Sequence, residues 1–121
     1  AAGAFWPAQV EDSVAGKVFS HSTLEQLIQS PEPVLVNVTA DWCISCLSNE
    51  RLVFSDPEIA QMDVHFLKAD WTEYDPDITA YLDRFNRAGV PLYVVYSQGE
   101  VAVLPQILTV PMVKQALGAD E

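Results

Sequence analysis

Two thiols separated by two residues, Cys43-Ile44-Ser45-Cys46, are the only cysteines in the chain. A bridge across so short a loop takes little entropy from the unfolded state, so structural cross-linking is a poor use of the pair. Redox exchange and half of a tetrahedral zinc site are the uses that remain. Zinc needs further soft ligands, and the sequence offers His21 and His65, which are not spaced as a second ligand pair. Exchange needs only one thiol that ionises and a second that follows it.

The surrounding elements favour exchange. Val34 to Thr39 is a β-rich apolar run without strict alternation, which predicts a strand covered on both faces. From Cys43 to about Val53 nothing breaks a helix. The cysteines therefore fall at a strand-to-helix junction, with Cys43 over the unpaired N–H groups of the first turn. A thiolate is stabilised there and the Cys43 pKa is lowered. Cys46, one turn further in, is expected to be more buried and to attack second. Glu50 lies four residues after Cys46 on the same helical face, where a carboxylate can tune the thiols or relay a proton, or can stand solvated on the helix surface.

The rest of the chain alternates. Val18-Phe19 begins a short strand, and a helix capped by Ser22 or Thr23 carries Leu24, Leu27 and Ile28 as far as about Ser30, before Pro31 and Pro33. Asp56-Pro57 and Asp75-Pro76 each read as a cap followed by proline, opening helices to about Met62 and Phe85. Strands are predicted over Val64 to Ala69, Leu92 to Tyr96 and Val101 to Leu104, the last two joined as a hairpin through Ser97-Gln98-Gly99-Glu100. A helix from about Pro111 to Leu117 closes the chain. This order predicts an α/β fold with a central mixed β-sheet flanked by helices. Residues 1–16 show no period and are assigned to an N-terminal arm or lead-in, with Phe5 and Trp6 as its candidate anchors; 17–121 form one domain.

Composition sets the outer limits. Seventeen acids against six dispersed bases leave a formal charge of −11, a field that repels nucleic acid and anionic lipid. No apolar run approaches the roughly 20 residues that cross a bilayer, so no direct membrane insertion by this chain is expected. The start has neither an initiator Met nor a clear targeting signal, and reads as a processed product or a domain of a longer polypeptide. The acids between Asp70 and Asp77 lack the glycine and terminal Glu of a calcium loop and read as helix capping. No metal is assigned.

Several separated motifs carry a resemblance. Ala40-Asp41-Trp42-Cys43, Phe54-Ser55-Asp56-Pro57, Lys68-Ala69-Asp70-Trp71-Thr72 and Gly89-Val90-Pro91-Leu92-Tyr93 occur in that order. Over about residues 20 to 117 the chain resembles the C-terminal periplasmic domain of the DsbD family of thiol:disulfide interchange proteins. The resemblance implies a thioredoxin-like fold and an enzyme, a protein-disulfide reductase needing no cofactor. It also implies periplasmic localisation as the soluble domain of an inner-membrane protein. Electrons would arrive from a transmembrane dithiol domain and leave to thioredoxin-like or disulfide-bearing periplasmic proteins. Cys43 would attack and Cys46 resolve. Val90-Pro91 would form a cis-proline loop whose backbone pairs with the partner, and Trp42 would offer the partner an apolar surface. Asn37 is a departure, standing where the family places a buried Asp, so acid–base help must come from Glu50, Asp41 or water. Leu47 likewise replaces a basic residue. Two other readings stay open: a free-standing thioredoxin-like reductase or oxidase, and a non-enzymatic binding module on the same scaffold.

Overall fold

The computed structural model describes residues 17–118, so the readings made for residues 1–16, including Phe5 and Trp6, lie outside the described part. Its strands are β1 (Lys17–Val18), β2 (Val34–Thr39), β3 (His65–Asp70), β4 (Leu92–Ser97) and β5 (Glu100–Val103). Its helices are α1 (His21–Ile28), α2 (Ile44–Asn49, extended by a π-helical turn over Glu50–Phe54), α3 (Pro57–Ala60), α4 (Pro76–Arg84) and α5 (Val110–Ala116). The strands form one sheet in the order β1-β3-β2-β4-β5. β1, β3 and β2 run parallel, while β4 is antiparallel to β2 and β5 to β4. This is the mixed sheet that the order of elements predicts.

Strand period two divides the core into halves. Val34, Val36, Val38, Leu92 and Val94 pack on one face with Leu24 of α1 and Ile78, Tyr81 and Leu82 of α4. Leu35, Tyr93 and Val95 pack on the other with Val53 and Phe54 from the π turn, Ile59 of α3 and Val113 of α5. All six residues of β2 are buried, which is why its sequence does not alternate. Each such aliphatic side chain stabilises the fold by about 1.5–3 kcal/mol relative to exposure, so the strand leading to the dithiol is firmly anchored in the sheet.

Local departures from the sequence reading have local causes. The N-cap of α1 is Ser20, not Ser22 or Thr23: its backbone is extended and its hydroxyl accepts the Thr23 N–H at 3.1 Å. β1 ends at Val18, yet Phe19 still donates its N–H to the Lys68 carbonyl at 2.9 Å while its ring enters the core. The helix after the dithiol changes pitch at Glu50, whose carbonyl accepts from the Ser55 N–H at 3.0 Å. The hairpin turn narrows to Gln98-Gly99, both with positive φ (54° and 82°), the twist that suits a two-residue connection.

α4 begins where Asp75 accepts from the Asp77 and Ile78 N–H groups at 2.8 and 3.3 Å, with Pro76 in the first turn. Asp75→Ala should therefore cost about 1 kcal/mol, or about 4 °C in thermal unfolding. A shift below about 1 °C would mean that Pro76 starts the helix unaided.

Candidate active site

The chain leaves β2 at Thr39, turns through Ala40-Asp41-Trp42, and enters α2 with Cys43 itself as N-cap. Cys43 is extended (φ −97°, ψ 108°), and its Sγ accepts the Cys46 N–H at 3.2 Å. A sulfur thus does what a serine or aspartate oxygen usually does at this position. An ionised sulfur accepts such a bond better than a neutral one, so the first turn favours the thiolate. Ser45 Oγ lies 3.5 Å from the same sulfur.

Cys43 and Cys46 are joined as a disulfide, with Cα atoms 5.3 Å apart. Cys43 retains 8% of its surface and Cys46 none. An external nucleophile can therefore reach only Cys43, and through a small opening. Ala40 completes the buried cluster around the sulfurs, and the half-buried Val90 packs against it. The Val90-Pro91 bond is cis, and Pro91 is buried.

A polar pair joins β2 to the helix that carries the cysteines. Asn37, 4% exposed, donates from Nδ2 to Glu50 Oε2 at 3.3 Å. An ionised carboxylate can only accept, so this bond fixes which way the amide faces. Asn37 Oδ1 is left buried with no protein donor. Asp41 is not part of this pair. It is exposed, and its backbone N–H donates to Thr72 Oγ1 at 2.9 Å. Trp42 is half-exposed and donates from Nε1 to the Thr72 carbonyl at 3.0 Å. Thr72 is held in turn by the Asp70 carboxylate, which accepts from both its N–H and its hydroxyl.

Sequence reasoning missed Asn49. It is 4% exposed; its Nδ2 donates to Tyr93 Oη and to the Gln106 carbonyl, both at 2.8 Å. Its Oδ1 accepts from the Leu108 N–H at 3.2 Å. One side chain thus fastens α2 to β4 and to the loop before α5. The available signal was position: Asn49 lies three residues after Cys46, on the helix face that also carries Val53.

Burial pushes the Tyr93 hydroxyl up to about 12; the bond from Asn49 works against this and the charge of Glu50 adds to it. Tyr81 and Tyr96, whose hydroxyls meet at 2.6 Å, are also raised, in both cases chiefly by burial. A raised pKa means that the fold resists ionisation while the unfolded chain does not. Tyrosine-linked stability is therefore complete below about pH 10 and lost as pH rises through the folded values. Urea unfolding between pH 10 and about 12 should show this decline, and Tyr93→Phe should make it shallower. An unchanged slope in Tyr93→Phe would remove Tyr93 from the account.

The thioredoxin-like family profile matches residues 18–97, spanning β2, the dithiol, α2 and the cis-proline loop. The chain belongs to the thioredoxin-like family. Within this thioredoxin-like domain, 80 residues are 38% identical to the thiol:disulfide interchange protein DsbD 1 of Pseudomonas aeruginosa, covering 64% of this chain and 14% of that protein. The DsbD of Ralstonia nicotianae is 41% identical over 73 residues, 58% of this chain and 12% of that one. The chain thus spans only about an eighth of the curated relatives it matches. Among solved structures, the oxidised C-terminal domain of Neisseria meningitidis DsbD superposes with a TM-score of 0.66 at 23% identity, covering 82% of this chain and 94% of that domain. A mutant thioredoxin of Halobacterium salinarum superposes with a TM-score of 0.65 at 22% identity, covering 84% of this chain and 85% of that one. These superpositions carry the fold, and the sequence similarity carries the relation to DsbD.

Proposed function

We propose that this domain relays electrons, accepting them from a membrane-embedded dithiol and passing them to oxidised protein partners in the periplasm. The observation that carries this reading is the Cys43 sulfur, which caps a helix and is more exposed than its buried partner. Similarity to DsbD supports the direction and the compartment. Among the described residues no helix is long and apolar enough to cross a membrane, so the donor dithiol is assigned to a separate domain or protein.

In the reduced domain the Cys43 thiolate attacks a partner disulfide. One S–S bond forms, one breaks, and the partner's second sulfur leaves as a thiolate that takes up a proton. Cys46 then loses its proton and attacks Cys43 Sγ, closing the internal bridge and releasing the partner as a dithiol two electrons richer. Glu50, one turn from Cys46 and hydrogen-bonded to Asn37, is the acceptor we assign to the Cys46 proton. Asn37 cannot take a proton, so its part is to hold that carboxylate. The donor dithiol reopens the bridge by the same steps in reverse. Val90, Pro91 and Trp42 form the partner's seat beside Cys43.

Equilibration with glutathione tests the direction. The expected potential lies near the thioredoxin value of about −270 mV, and one near the DsbA value of about −120 mV would reverse the role.

A further inference from the structure

The aromatic residues beside the dithiol form a display, and we propose that it seats a basic side chain next to the cysteine of the partner disulfide. The proposal rests on the exchange reading above and specifies which partners it favours. Trp42 and Tyr74 are 48% and 59% exposed, yet both rings are held. They stack with centroids 5.8 Å apart at 29°, and Trp71 supports Tyr74 edge-on at 4.9 Å. The indole N–H groups of Trp42 and Trp71 are taken by the Thr72 carbonyl and by Thr79 Oγ1, so neither ring needs a partner to satisfy its donor. Tyr74 has φ 60°, a backbone region uncommon for a side chain of this size, and its N–H donates to the Trp71 carbonyl at 3.0 Å. The chain thus holds a large aromatic surface towards solvent, one residue from the sulfur that must meet a partner.

Charge identifies the occupant. Asp41, Glu73, Asp75 and Asp77 are all exposed on the two segments that carry the rings. Neither segment holds a Lys or Arg, and the Arg87 guanidinium at the cis-proline loop is engaged by the Pro91 carbonyl at 3.0 Å. Among the described residues the cation found over a ring is Arg84, over Tyr81. Aromatic faces attract cations, and nearby carboxylates strengthen the attraction. A partner bringing its disulfide to Cys43 must cover Trp42, and a lysine or arginine beside its cysteine would then reach both the rings and the acids. An acidic residue there would meet repulsion.

The test uses the reduced domain and three symmetrical peptide disulfides, identical except for lysine, glutamine or glutamate beside the cysteine. The lysine peptide should be reduced about 10-fold faster than the glutamine peptide, and the glutamate peptide slowest. Tyr74→Leu should cut the lysine-to-glutamine ratio to about 3-fold, the share left to net charge, whereas Tyr74→Phe should preserve it. Glu73→Gln should lower it in part. A ratio equal in the wild type and in Tyr74→Leu would overturn the proposal. If none of the three peptides is reduced, the exchange reading fails and this proposal falls with it.

Discussion

Cys46→Ala should turn a rapid exchange into a trap: incubated with oxidised periplasmic proteins, the reduced variant should accumulate mixed disulfides through Cys43, while Cys43→Ser accumulates none. The asymmetry follows from access, since Cys43 retains 8% of its surface and Cys46 is fully enclosed. Without Cys46 no internal sulfur can displace the partner, so the covalent intermediate waits for an outside thiol. In insulin reduction, Cys43→Ser should lower the rate by on the order of 10³-fold or more, as loss of a nucleophile does. Non-reducing electrophoresis and mass spectrometry would read the trapped species. Equal trapping by both variants would show that the two sulfurs are interchangeable, and no trapping by either would favour a binding module that does no chemistry.

Asn49→Ala should produce the largest loss of stability for one small side chain, about 3 kcal/mol by urea unfolding. The substitution strands a Tyr93 hydroxyl, a Gln106 carbonyl and a Leu108 N–H together, and an unsatisfied buried polar group costs about 1–3 kcal/mol. Leu52, 67% exposed on the same stretch of chain, serves as comparison; Leu52→Ala should change stability by less than about 0.5 kcal/mol. If Asn49→Ala costs under about 1 kcal/mol, the loop before α5 is held by the burial of Leu104 and Leu108 and not by the amide. The variant also bears on Glu50, the next residue, because a loosened α2 would let that carboxylate drift from Asn37.

What could be read from the sequence was what repeats or punctuates. Val34 to Thr39 announced a doubly covered strand because every position is apolar or β-branched apart from Asn37, and Asp75-Pro76 announced a helix start because cap and proline are adjacent. The dithiol was legible because two cysteines at a strand-to-helix junction have few uses. Long-range pairings left weaker traces. That Asn49 would meet Gln106 and Leu108 depends on where a loop much later in the chain settles, and no local pattern records it. The π turn at Glu50 was hidden for a similar reason: its residues are ordinary helix formers, and the widening shows only in which carbonyl the Ser55 N–H finds. Tyr74 read as part of a capping loop, since nothing in its type reveals a left-handed backbone or a ring laid against Trp42.

The sulfur at the head of α2 has one more consequence. A hydrogen bond is shared by its two ends, so whatever the helix lends to the charge on Cys43, that charge returns to the helix as tighter closure of its opening turn. The amide of Cys46 is then a reporter built into the backbone: its exchange with deuterium should slow when the sulfur carries a full negative charge and quicken when a proton sits there instead.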